Sequence, residues 1–138
     1  MSISAKSEYA CLAMLELAKR YDDPKPIRLA EIADQHDIPQ RFLVQILLQL
    51  KGNGLVQTTR GAAGGYQLTR KPTSISLADI LDGIDRDESS PDRPRSGSPL
   101  TLSLRTVWKK LSVARESILR DTTLSDLLPH GAPGDYMI

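Results

Sequence analysis

The 138-residue sequence has one cysteine, one tryptophan, one phenylalanine and no long apolar run. A single thiol, Cys11, cannot close an internal disulfide or supply a cysteine-rich metal or cluster site. No stretch approaches the roughly 18 apolar residues of a membrane-spanning helix. The first residues, MSISAKSEYA, contain no apolar leader region, so a cytoplasmic protein without a membrane partner is expected. With aromatics at 4%, the core must rest on Leu, Ile, Val and Ala. Acidic residues are missing from Ile38 to Lys71, which holds Arg41, Lys51, Arg60, Arg70 and Lys71. Acids then return at Asp79, Asp82, Asp85, Asp87 and Glu88. The net charge of +1 therefore hides a basic region suited either to a polyanion or to a solvated face.

What is present reads mainly as helix. Tyr9, Leu12, Ala13, Leu15 and Leu17 lie in a Gly- and Pro-free stretch from about Ser4 to Tyr21, closed by Asp22-Asp23-Pro24-Lys25-Pro26. A short helix, Leu29 to about His36, is expected to bury Leu29, Ile32 and Ala33. Asp37-Ile38-Pro39 is a turn, with Pro39 suited to the first turn of a third helix, Gln40 to Lys51, which Gly52-Asn53-Gly54 stops. Two β-prone runs, Leu55 to Arg60 and Gly65 to Arg70, flank Gly61-Ala62-Ala63-Gly64 and predict a hairpin. Ser76 and Asp79 mark the start of a fourth helix ending near Ile84.

The polar, Pro-rich span Arg86 to Pro99 reads as a linker. A long helix from Leu100 to Asp121 follows, with Leu104, Val107, Leu111, Ala114 and Ile118 at heptad spacing. Thr123 and Asp126 start a last helical turn, Leu124 to Leu128. The expected organisation is residues 1–85 as one domain, 86–99 as linker, 100–128 as dimerisation helix plus short terminal helix, and 129–138 as a loose tail. The fold class is mainly α with a small β-hairpin.

Helix, turn, helix and hairpin in this order suit double-stranded DNA. A helix about 10–12 Å across enters the major groove, where base edges carry a distinct donor and acceptor pattern. In the third helix Phe42, Leu43, Ile46, Leu47 and Leu50 form the expected inner side. Gln40, Arg41, Gln45 and Gln49 face outward; Arg suits guanine and Gln suits adenine. Val44 and Leu48 also fall near the outer face, either against thymine methyls or packed. Arg60 precedes the glycine-rich tip and would be carried toward the minor groove, with Gly61, Gly64, Gly65 and Tyr66 bringing the backbone close to phosphates.

The segments KSEYACLAMLELA, LAEIADQHDIPQRFLVQILLQLKGNGLVQTTRGAAGGYQLTR, ISLADILDGID and TLSDLL together resemble the bacterial winged helix-turn-helix regulators that include IscR, NsrR and CymR. The resemblance runs from about Ile3 to Asp85 and continues to Leu128. It implies a homodimeric repressor on a near-palindromic operator, its long C-terminal helices paired. It also implies that Lys6, Ser7 and Tyr9 hold the phosphate backbone, that Gln40, Arg41 and Gln45 read bases, and that Arg60 enters the minor groove.

Cluster-binding members of that family carry three cysteines between the fourth helix and the dimerisation helix. Here Arg86 to Pro99 has none, and serines cannot replace thiolates. No cofactor is expected, and a protein or small-molecule effector is the remaining partner. Cys11, set in Tyr9-Ala10-Cys11-Leu12-Ala13-Met14-Leu15, reads as a small buried hydrophobe; redox sensing would need a lowered thiol pKa. His36 and His130 read as exposed polar residues and no metal site is expected. Trp108 reads as dimer packing beside the seam. No catalytic constellation is present.

Overall fold

The computed structural model describes residues 3–62, 64–84 and 97–129. The elements run α1 (Ala5–Lys19), α2 (Leu29–His36), α3 (Gln40–Gly52), β1 (Val56–Thr59), β2 (Gly65–Leu68), a 3₁₀ turn (Pro72–Ser74), α4 (Leu77–Ile84), α5 (Pro99–Asp121) and α6 (Leu124–Leu127). This is the helical architecture with a two-strand hairpin that the sequence pattern predicts. The expected linker up to residue 96, His130 and the tail beyond it lie outside the described residues.

α1 is the central helix. The Ser4 side chain caps it by accepting the Ser7 backbone N–H at 3.1 Å. Ala10, Ala13, Met14 and Leu17 are buried against α2, α3, α4, α6 and β2. α2 is tied to α1 by charge as well as packing. Glu16, only 4% exposed, accepts from Arg20 Nε at 3.1 Å and lies 3.0 Å from His36 Nε2. Arg20 also reaches Glu31 at 2.6 Å. Its hydrogen bond to Glu31, opposed by partial burial and aided by Glu16, raises its guanidinium pKa. His36 is thus a half-buried partner of Glu16, not the exposed polar residue its sequence context suggests. The reason is tertiary: the partner lies 20 residues away.

Between α2 and α3 the chain turns through Asp37 in the left-handed region, φ 52°, a conformation Asp tolerates better than most residues. Ile38 then plugs the core, and Pro39 stands at the N-cap of α3, one residue before the expected first-turn position. Leu43, Ile46, Leu47 and Leu50 are fully buried, each contributing about 1.5–3 kcal/mol. Phe42 corrects the expected inner side: it is 46% exposed. One residue is 100° of rotation, so Phe42 falls on the flank of the 43/46/47/50 stripe.

Gly54, at φ +79°, turns the chain from α3 directly into β1. The hairpin is antiparallel, with Val56 paired to Leu68 and Thr59 to Gly65. Val56 and Leu68 face the core. Ile27 adds a third short partner, exchanging backbone hydrogen bonds with Tyr66 at 3.0 and 2.8 Å. The sequence gives no local sign of this pairing.

Ser76 and Asp79 form a reciprocal cap for α4: Asp79 Oδ2 accepts the Ser76 N–H at 2.9 Å, and Ser76 Oγ accepts the Asp79 N–H at 3.1 Å. Ser98 caps α5 and Pro99 opens it. α5 leans on α4, where Arg120 meets Asp82 at 2.7 Å, yet none of its side chains is buried. α6 behaves differently. Leu124 is fully buried in the core shared with α1, its N–H donates to the Ile75 carbonyl at 3.0 Å, and Leu77 N–H donates to Thr122 at 2.9 Å. The short terminal helix therefore packs with the N-terminal unit, whereas the sequence pattern groups it with the long helix.

Candidate nucleic-acid interface

α3 presents Gln40, Arg41, Phe42, Val44, Gln45 and Leu48 to solvent, while Gln49 is half-buried. Arg41 and Gln45 are four residues apart and share one side of the helix. The Arg41 guanidinium lies 5.0 Å from the Phe42 ring centroid, a cation–π contact that restricts the arginine. Val44 and Leu48 are exposed, Leu48 at 60%, so they do not pack inward. Two large apolar groups sit in the middle of the outward face.

β1 delivers Arg60 to the start of the wing tip, where it is exposed. Gly61 follows at φ +104° and its carbonyl accepts the Gly64 N–H at 3.0 Å. Gly64 and Gly65 have a structural duty beyond any approach to phosphate. A Cβ on Gly65 would stand 2.5 Å from the Ile27 carbonyl oxygen, and one on Gly64 would collide with the Thr59 carbonyl. Tyr66 is half-buried against the core. β1 packs against α3 and follows it after a short turn, so helix and hairpin are adjoining elements within the acid-free span.

Lys6 at the start of α1 is exposed, and Tyr9 is half-buried against the core. Ser7 departs from the backbone-holding role: it is fully buried, and its hydroxyl lies 2.9 Å from Ser4 Oγ. That hydroxyl accepts from the capping Ser4 side chain. Arg28 makes a contact to the hairpin tip that sequence patterns miss. It is exposed at the N-cap of α2, and its Nη2 donates to the Ala62 carbonyl in the wing tip. The partner is 34 residues away, and no local motif announces it.

Two helices joined by a three-residue turn, with the second followed by a hairpin wing, define a winged helix-turn-helix domain. Residues 3–130 match the Rrf2 family, described as iron-dependent transcriptional regulators. CymR of Bacillus subtilis is 33% identical over 127 residues, covering 92% of this chain and 89% of its own. A Mycobacterium tuberculosis protein provisionally named an HTH-type transcriptional regulator is 40% identical over 139 residues, covering 96% of this chain and 84% of its own. The solved structure of CymR, the global cysteine regulator of B. subtilis, superposes with a TM-score of 0.80 at 32% identity, covering 92% of this chain and 95% of that one. That of T. potens IscR gives 0.75 at 29%, covering 95% and 94%. The chain belongs to the Rrf2 family of transcription regulators.

Iron in the family description can be set against the donors present. The one thiol, Cys11, is half-buried on α1 against the core. Among the described residues no group of three or more His, Cys, Asp or Glu side chains could hold a metal ion, and residues 85–96 contain no Cys or His. This donor set does not fit a thiolate-ligated cluster. No described helix is long and apolar enough to cross a membrane.

Proposed function

We propose that this regulator is a homodimeric, sequence-specific repressor that acts on a near-palindromic operator in the cytoplasm without an iron–sulfur cluster. The observation that carries the reading is the outward face of α3, with Arg41 and Gln45 free of the core, beside a wing that exposes Arg60. Gln40, Arg41 and Gln45 read base edges in the major groove, and Arg60 enters the adjacent minor groove. Lys6 meets phosphate. Pairing is supported by α5, where Leu104, Val107, Trp108, Leu111, Ala114 and Ile118 all remain exposed in the single chain. A contiguous apolar stripe of this kind marks an interface in soluble proteins. A protein or small-molecule effector then sets operator occupancy.

The test is operator affinity against salt for the parent, Arg60→Ala and Arg41→Ala. The parent should weaken steeply as salt rises, through counterion release. Arg60→Ala should lose most binding. Arg41→Ala should lose about 1–3 kcal/mol of discrimination at one base pair. Parent-like binding by both variants contradicts the assignment.

A second reading rests on exposed Phe42, Val44 and Leu48: an interaction module that keeps the fold and takes a protein on α3. It predicts that Leu48→Glu abolishes capture of that protein while no duplex is selected by sequence.

A further inference from the structure

The wing is short, four residues in each strand, and its tip is built on Gly61 and Gly64. Such a hairpin is marginal alone, and glycine adds backbone freedom at positions 61 and 64. Its base is well anchored. Gln67 Nε2 donates to the Pro24 carbonyl at 3.0 Å, Thr69 Oγ1 to the Gly54 carbonyl at 2.5 Å, and Ile27 pairs with Tyr66. Among the described residues, one hydrogen bond reaches the tip from outside the hairpin, and it comes from Arg28. The antiparallel Ile27–Tyr66 pair sets Arg28 beside β2, so that its guanidinium reaches the Ala62 carbonyl. Ala62 is two residues beyond Arg60. Arg28 is also the N-cap of α2, the helix that packs on α3.

We propose that Arg28 is a positioning residue for the wing: by holding the Ala62 carbonyl it fixes the tip, and with it Arg60, relative to the α2–α3 reader. A guanidinium suits this task because it stays charged and offers several donors in a planar fork. The proposal rests on the DNA-reading role of Arg60. Arg28 acts through Arg60, so the two should be coupled, and the coupling should have a structural origin visible without DNA.

The experiment compares the full chain with Arg28→Ala, Arg60→Ala and the double variant. Amide hydrogen exchange of the free proteins should show Gly61 and Gly64 exchanging at least about fivefold faster in Arg28→Ala, with α1 amides and Tm unchanged. On an operator selected by the parent, Arg28→Ala should cost about five- to tenfold in affinity, but less than about twofold when Arg60 is already Ala. Unchanged tip exchange overturns the proposal. So does an equal loss in both backgrounds with the salt slope reduced by about one, which would make Arg28 a phosphate contact in its own right. If the parent selects no DNA at all, the DNA reading falls, while the exchange measurement still decides whether Arg28 holds the tip.

Discussion

At Gly65 a single missing methyl group decides how the wing joins the domain. The Ile27 backbone runs so close that a Cβ there would meet its carbonyl oxygen at 2.5 Å and its nitrogen at 3.0 Å. Gly61 is the opposite case: nothing lies within 4 Å of its would-be Cβ, and only its positive φ opposes a side chain. Gly65→Ala should therefore lose about 2 kcal/mol or more in urea unfolding through overpacking. Gly61→Ala should lose about 1 kcal/mol through backbone strain alone. Equal costs would contradict the distinction. At this scale the sequence is legible where the partner is near in the chain and opaque where it is far. Ser76 with Asp79 is readable because a cap spans three residues. His36 with Glu16, Arg28 with Ala62 and Ile27 with Tyr66 are not, because tertiary folding alone makes them neighbours. Phe42 and Ser7 show the remaining limit. Helix spacing marks Phe42 as a core residue, yet rotation leaves it 46% exposed; the family resemblance gives Ser7 a phosphate contact, yet its side chain is buried beside the α1 cap.

α3 and α5 carry their apolar residues on different terms. In α3 the 43/46/47/50 stripe is consumed by the domain's own core. In α5, 23 residues and about 35 Å long, no side chain is buried, and the five heptad residues all stay exposed. That difference makes α5 the element to break. Leu111 is 51% exposed, so Leu111→Glu should leave the monomer folded while placing two carboxylates in the paired seam. Dimerisation should weaken by about a hundredfold or more, since burying unpaired charge costs several kcal/mol. Analytical ultracentrifugation should find the parent dimeric at micromolar concentration and the variant monomeric. A monomeric parent, or a variant as dimeric as the parent, would contradict the pairing. Helix boundaries were readable from caps and breakers to within a residue or two, as with Leu29–His36 and Pro99–Asp121. The destination of α6 was not. Its capping box at Thr123 and Asp126 announces a helix but does not say that Leu124 enters the core beside Ile75.

For the whole molecule, charge, fold and family converge. An acid-free span between Ile38 and Lys71 coincides with α3 and the hairpin, and membership of the Rrf2 family makes that surface part of a transcription regulator. The winged helix-turn-helix was legible because it is built from consecutive, strongly patterned elements. The signal was less so, since the one thiol sits on α1 and the donors for a cluster are missing. The central claim, that two copies read a symmetric operator through α3 and the wing, is tested most directly by selection of bound duplexes from a random pool. It predicts enrichment of an inverted repeat whose half-site centres are separated by about 10–10.5 base pairs or a multiple of it. Selection that enriches no motif, or a single unrepeated half-site, would contradict it.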